Sequence, residues 1–392
     1  MKIWILAGML ATVAVAQETP EDWANHGIDK FNRGDVDGAI TDCTKAIELD
    51  ANFAKAYNNR GLAREQKNDL AGAIEDFTKA IELNPKFSQA YNNRSAARYA
   101  KKNFDDAITD ATAAIELNPK YAEAYDNRAN ARADKGDVKG ALEDYAQAIE
   151  LNPNFFEAYF NRATLHFERR EVDEGIVDYT KAIELNPNSF GAFANRGKLR
   201  VNKGDYDGAI ADYTKAVELN PKSFKSYNNR GIAHRLKHDL DAAIADYTQA
   251  IELNAQFLEA YGNRCAARMD QGDADGVIAD ATKMIELNPQ GPEGYMSRGS
   301  ARAKKKDYNG AIDDYTKAIA LNQKSADAYR DRASAHSKAS NLPEMSLSNK
   351  RLHLSAAIGD AHKAIQLNPG WKNDLDDFLA KARAKLTEMD TQ

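Results

Sequence analysis

The chain has 392 residues and a formal charge of −6, with 53 Lys and Arg against 59 Asp and Glu. That mild acidity argues against nucleic acid, or anionic lipid, as a partner for the whole surface. The two cysteines, Cys43 and Cys265, fall in slots that are otherwise small or apolar, so they read as buried thiols rather than a disulfide.

The first sixteen residues stand apart from the rest. Lys2, the apolar run from Ile3 to Val15, and Ala14-Val15-Ala16 before Gln17 form the pattern of a secretory signal peptide. An uncleaved N-terminal anchor is the other reading. No later stretch is apolar enough to cross a bilayer. The expectation is an exported protein, periplasmic or secreted, whose mature chain carries −7 once Lys2 is removed from the −6.

From Pro20 to about Pro369 a 34-residue segment, typified by Tyr57 to Pro85, recurs ten times. A fixed period of this length is the mark of a repeat architecture. With slot one at Pro20, slot four is aromatic throughout, as in Trp23, Tyr57 and Phe193, and slot eight is small, as in Gly27, Ser95 and Cys265. Slots 20 and 27 are small as well, with Val277 and Met284 the exceptions. Aromatic knobs beside small residues at helical spacing predict two closely packed helices per copy. Gly34-Asp35, Gly136-Asp137, Gly204-Asp205 and Gly272-Asp273 supply the turn, Gly ending one helix and Asp capping the next. Pro85, Pro119, Pro153, Pro187, Pro221, Pro289 and Pro369 close the second helix.

Carried by these residues, the pattern resembles the tetratricopeptide repeat over about nine-tenths of the mature chain. The resemblance implies an all-α fold, a right-handed superhelix of helix pairs whose first helices line a concave groove. Ala51, Ala255 and Gln323 depart from the closing Pro, and Gly175 from Ala in slot 20. About twelve extra residues between Lys338 and Ser355 read as a loop extension, with a partner contact as the alternative. Trp371, Leu375, Phe378, Leu379, Ala382 and Leu386 recur at helical spacing and predict a capping helix. The domain reading is a signal peptide at 1–16, ten repeats at 20–369 with the insertion near 338–355, and a capping helix and tail at 370–392.

Three rows run along the copies. Slot six is Asn in the first eight, from Asn25 through Asn59, Asn93, Asn127, Asn161, Asn195, Asn229 and Asn263, then Ser297 and Asp331. Asn is a mediocre helix former, so its repetition needs another reason. Its amide offers donors and acceptors that suit an extended peptide backbone. The row resembles the asparagine ladder of O-GlcNAc transferase, which grips peptide main chain. The other role for it is a bond to a neighbouring copy that stiffens the groove. Slot seven is Arg from Arg60 to Arg332 and slot 23 is Asp from Asp42 to Asp360, which predicts Arg–Asp pairs between packed helices. The third row is variable. In it Phe160 and Phe167 share one helix face, Asp126, Asn130, Asp134, Glu157 and Glu168 surround the middle, and Lys304, Arg330 and Lys338 mark the C-terminal end. Exposed aromatics among polar neighbours are common anchors for partners. Packing of both Phe rings against adjacent copies is the alternative.

Catalytic and metal chemistry finds no support in the motifs. Asp35-Val36-Asp37-Gly38 starts like a calcium loop but lacks the closing Glu. His234 and His238 lie outside any HExxH pattern, and His166, His234 and His336 share slot 11, which reads as a packing slot. The expectation is a non-enzymatic protein-interaction module with no cofactor and no metal. It would bind an extended peptide or partner protein through Asn59, Asn93, Asn127, Asn161, Asn195, Asn229 and Asn263, with Phe160 and Phe167 as anchors. No nucleic acid and no membrane span in the mature chain enter this reading, and the sequence sets no oligomeric state. The alternative is a cell-envelope scaffold docking through its convex face or the 338–355 insert.

Overall fold

The computed structural model describes residues 18–390, and among these every regular element is helical. The expected signal peptide, residues 1–16, lies outside the described residues. The chain divides into two units, one running to Pro187 and one from Asn188.

The first unit holds five helix pairs: α1 (Pro20–Asn32) with α2 (Val36–Leu49), α3 (Ala54–Gln66) with α4 (Leu70–Leu83), α5 (Ser88–Ala100) with α6 (Phe104–Leu117), α7 (Ala122–Asp134) with α8 (Val138–Leu151), and α9 (Phe156–Glu168) with α10 (Val172–Leu185). The second unit continues with α11 (Phe190–Lys203) and α12 (Tyr206–Leu219), α13 (Phe224–Leu236) and α14 (Leu240–Leu253), α15 (Leu258–Gln271) and α16 (Ala274–Leu287), and α17 (Pro292–Lys304) and α18 (Tyr308–Leu321). It ends with α19 (Ala326–Ala339), α20 (Leu347–Leu367), a 3-10 turn at Pro369–Trp371, and α21 (Lys372–Asp390). The architecture is an α-α solenoid of helix pairs.

Local chemistry sets the joints. Asp35, Asp69, Asp137, Asp205, Asp273 and Asp307 each accept the backbone N–H three residues on, capping the second helix of their pair. Slot 15, just before, is left-handed in nine copies: Gly34, Gly136, Gly204 and Gly272, but also Asn68, Lys102, Arg170, His238 and Lys306. At the other end of the pair the Asn of Leu-Asn-Pro folds back, Asn84 Oδ1 accepting Lys86 N–H at 3.1 Å and Asn118 Oδ1 accepting Lys120 N–H at 3.2 Å.

The core runs as a row of buried alanines in slots 20 and 27, among them Ala39, Ala46, Ala73, Ala80, Ala209 and Ala216. The most deeply buried rings belong to slot 24: Phe77, Tyr179, Tyr213 and Tyr247. Slot eight is small because these rings lie on it, Gly61 against Phe77 and Gly231 against Tyr247. Within each unit successive first helices approach one another, α1 with α3, α5 with α7, α13 with α15, while second helices are spread apart. The odd-numbered helices therefore line the inner face of each unit.

The extra residues near 338–355 are divided between a longer loop, as expected, and a longer helix. Residues 340–346 form a longer connection between α19 and α20 than in the other pairs, and most of the remainder lengthens α20 to 21 residues, started by Ser346 accepting Asn349 N–H. The added turns are tied down at both sides, Arg351 donating to the Met389 carbonyl of α21 and His353 meeting His336 of α19, while Leu354, where the second helix of other copies begins, is buried against Ala382 and Met389. Leu379 of α21 also covers Ala333 and Ala361. Among the described residues no helix is long and apolar enough to cross a membrane.

Candidate functional site

An ion-pair brace holds the first helices in place. Each slot-seven arginine reaches the slot-23 aspartate of its own pair with two bonds; Arg94 Nε donates to Asp110 Oδ2 at 2.9 Å and Nη2 to Oδ1 at 2.7 Å. The same fork recurs from Arg60–Asp76 to Arg332–Asp360. Nη1 points back to the preceding copy, as from Arg94 to Thr78 Oγ1 at 3.0 Å and from Arg264 to Thr248 Oγ1 at 2.8 Å. The guanidinium also lies over the slot-four ring, 5.6 Å from Tyr91 in the case of Arg94. One side chain thus ties three elements together. Sequence reasoning missed a second cation. Slot 11 is not a packing slot: Arg98, Arg132, Arg268 and Arg302 send Nη1 to the same aspartate row at 2.7–2.8 Å. Where slot 11 is His, as in His166 and His234, Nε2 stands 3.8 and 3.9 Å from Asp178 and Asp246. The first copy has His26 in slot seven, and there Lys30 Nζ meets Asp42 Oδ2 at 2.7 Å. The recurring Arg in slot 11 was the signal in the sequence.

Above the brace runs the asparagine row. In the first unit Asn93 Nδ2 donates to Asn58 Oδ1 at 2.9 Å, Asn127 Nδ2 to Asn92 Oδ1 at 2.8 Å, and Asn161 Nδ2 to both oxygens of Asp126 at 3.2 and 3.3 Å. Asn59 has only Ala24 in the matching place and donates to its carbonyl oxygen at 3.3 Å. In the second unit Asn263 Nδ2 donates to Asn228 Oδ1 at 2.9 Å. At Asn93, Asn127, Asn161 and Asn263, slot six therefore binds slot five of the preceding copy, and one amide N–H of each such rung is spent on that bond. Phe160 and Ala194, by contrast, offer no side-chain acceptor to Asn195 and Asn229. The Oδ1 atoms of Asn93, Asn127, Asn161 and Asn263 carry no bond from another described residue, so each keeps a carbonyl acceptor. Asn195 is half-buried on α11, and Asn229 lines a cavity of about 430 Å³ with Lys198, Lys225 and Phe257.

Phe160 and Phe167 are both half-buried on α9. Phe160 stands on the edge of Tyr179 at 5.5 Å and beside Phe156 at 5.6 Å, so part of its ring is committed to its own pair. The polar middle of the first unit centres on Asp126, which is buried and also accepts Asn130 Nδ2 at 3.1 Å. Asn130 Oδ1 in turn accepts Tyr145 Oη–H at 2.6 Å. Burial pushes the Asp126 carboxyl up to about 6, with the two Asn donors opposing the rise. Burial and the neighbouring Asp134 carboxylate push Tyr99 up to about 12. Cys43 and Cys265 are both buried, and burial raises each thiol to about 12, so neither is a reactive thiolate.

In the second unit the groove is hollowed at Gly262. One cavity of about 680 Å³ is bounded by Phe257, Leu258, Gly262, Met284 and Ser297, and a second of about 400 Å³ by Gly262, Met269, Val277, Met296 and Lys304. The sequence pattern marks neither as a pocket.

The sequence model of the tetratricopeptide repeat matches residues 54–87, 156–189 and 224–257, with further models of the same repeat at 94–143 and 178–211 and a TPR repeat model at 129–169, 197–237 and 299–339. These matches together cover well over half of the chain, which belongs to the tetratricopeptide-repeat family. Among solved structures, YrrB, described as a TPR protein with an unusual peptide-binding site, is 24% identical with a TM-score of 0.38, covering 47% of this chain and 95% of its own. Yeast Tom70 is 17% identical with a TM-score of 0.41, covering 93% and 96%. Pseudomonas aeruginosa pilF is 19% identical with a TM-score of 0.48, covering 53% and 94%. Comparison with curated proteins finds no match.

Proposed function

We propose that the chain is a non-enzymatic protein-interaction module whose inner face holds an extended peptide or partner protein. The single observation behind this reading is the half-used amide row. Packing consumes one N–H of Asn93, Asn127, Asn161 and Asn263, and leaves each Oδ1 able to accept a peptide N–H. The two earlier alternatives for the row, stiffening and recognition, thereby become two ends of one side chain. Asn59, Asn195 and Asn229 belong to the same row, with Phe160 and Phe167 as flanking apolar surface. In this proposal the protein works outside the cytoplasm, its leader removed from ten repeats and a terminal cap.

The test panels a displayed dodecapeptide library on the full mature chain and titrates the enriched peptides by fluorescence anisotropy. Asn93→Ala, Asn127→Ala and Asn263→Ala are expected to weaken binding beyond any change in thermal unfolding. Affinity that stays constant while stability falls would leave the row a purely structural device.

One observation favours a scaffold reading as well. Leu347 and Leu352 on the extended part of α20 are 41% and 68% exposed, an apolar surface outside the inner face. Leu352→Glu should then abolish co-purification of partners while leaving peptide titrations unchanged.

A further inference from the structure

The eighth copy departs from its neighbours in slot five and in its packing slots, where Cys265, Val277 and Met284 stand in slots eight, 20 and 27. Slot five is Gly262, where Asn58, Asn92, Asp126 and Asn228 stand in other copies. Slot 24 is Ala281, where Tyr213, Tyr247 and Tyr315 stand in this unit. Those tyrosines form groove wall: Tyr213 lines a cavity beside Asn228, and Tyr315 Oη meets Ser300 Oγ at 3.1 Å. Loss of a side chain in slot five opens the hollow at Gly262, while Cys265, Val277 and Met284, larger than the usual residues of their slots, pack with Ala281 where the slot-24 ring is missing. The loss in slot five also ends the asparagine ladder there, because the next rung, Ser297, finds no side-chain acceptor in Gly262.

What remains is an apolar recess with sulfur in its walls. The cavities of about 680 and 400 Å³ share Gly262 and Ser297 and are lined by Met284 on one side and by Cys265, Met269 and Met296 on the other. Thioether walls adapt to varied shapes and favour aromatic rings. Charge is arranged unevenly around the recess. Glu259 and Glu293 border the larger cavity, while Lys304 is the charged residue lining the smaller one. Lys304 Nζ donates to Met269 O at 3.1 Å and forms no ion pair with a described carboxylate, so its charge is available to a ligand.

We propose that this recess is a specificity pocket for a peptide segment carrying a large apolar side chain, an aromatic one above all, beside an Asp or Glu. The ring enters over Gly262, the carboxylate meets Lys304, and Asn263 Oδ1 accepts a main-chain N–H alongside. This rests on the peptide-binding reading of the inner face and adds the sequence that the face selects.

Two variants test it without disturbing the fold. A Cβ added at Gly262 would meet only Met284 Cε, at 3.7 Å, an ordinary contact, so a side chain can start there and Gly262→Leu places its remaining carbons in the recess. Lys304→Glu reverses the charge at its edge on an exposed side chain. A displayed dodecapeptide library is panned on the full mature chain, and enriched peptides are titrated against wild type, Gly262→Leu, Lys304→Glu and Asn263→Ala, with thermal unfolding as the folding control. The expected result is enrichment of an aromatic or large aliphatic residue next to Asp or Glu, with either variant weakening binding by about tenfold or more. Enriched peptides that lose affinity on Asn263→Ala but bind Gly262→Leu and Lys304→Glu like wild type would overturn the pocket and leave the groove reading standing. A library from which nothing is enriched would overturn both.

Discussion

Arg128 grips Asp144 with two N–H···O bonds, Nε to Oδ2 at 2.9 Å and Nη2 to Oδ1 at 2.7 Å. Arg132 Nη1 adds a third at 2.7 Å, and the carboxylate is 4% exposed. A buried aspartate is tolerated only while its cations remain, and the cations only while it does. Asp144→Ala should therefore cost about 3–5 kcal/mol, seen in urea unfolding. Thr112→Ala removes only the neutral partner of Arg128 Nη1, at 3.2 Å, and should cost about 0.5–1.5 kcal/mol. Equal losses from the two would show that the ion-pair fork is not what holds the helices.

The turn inside each pair carries strain that the sequence could relieve. Lys102 and Lys306 adopt φ of 60° and 67° in the slot where Gly136 and Gly204 adopt 85° and 82°. A left-handed residue with a Cβ costs about 1–2 kcal/mol relative to the ordinary region, partly offset by the chain entropy that Gly loses on folding. Lys102→Gly and Lys306→Gly are each expected to stabilise by about 0.5–1 kcal/mol, and Gly136→Ala to destabilise by a similar amount. Denaturation midpoints moving the other way would mean that the turn is held by something other than its backbone preference.

The fold was legible because the same local choices recur: Ala in slots 20 and 27, Asp before the second helix, and Pro after it. The Arg–Asp fork was legible for the same reason, as two rows of opposite charge. The slot-11 arginines are equally visible, but the slot also holds His166, His234 and His336, and a mixed Arg and His row does not by itself point to an aspartate partner. The rung from slot six to slot five was not legible. It joins residues 35 apart, as in Asn93 to Asn58, and period alone does not say which neighbouring side chain an amide will meet. The hollow at Gly262 was invisible for a different physical reason: it arises from the space around one missing side chain, and a Gly in a variable slot is not unusual alone.

Asp126 makes the stability of the first unit depend on pH. Its carboxyl is pushed up to about 6 by burial, above the ordinary aspartate value, so the folded chain holds this proton more tightly than the unfolded chain. Stability from this group is full at low pH and declines as pH rises from ~4 to ~6. Asp126→Asn should remove that decline and stabilise at neutral pH by about 1–3 kcal/mol. The ladder should survive the change, because Asn228 already serves as the acceptor for Asn263 at 2.9 Å. Urea midpoints that do not separate between ~pH 4 and ~pH 7 would contradict the buried charge.

The end of the second unit should respond in the opposite direction. His336 Nδ1 lies 2.8 Å from His353 Nδ1, one ring donating and the other accepting, between α19 and α20. Burial, together with the second imidazole and Arg332, pushes His336 down to about 4, while Asp360 opposes the fall. Burial lowers His353 as well. A base whose folded value lies below its unfolded value favours the fold while neutral. Stability is therefore full above ~6.5 and is lost as pH falls toward ~4, where both rings must charge and the shared N–H···N bond breaks. Amide exchange in α19 and α20 should accelerate on acidification through that window. His336→Gln, which cannot charge, should flatten the response without abolishing the helices. Acidification that protects α19 and α20, or exchange rates identical in wild type and His336→Gln, would exclude the histidine pair as the cause.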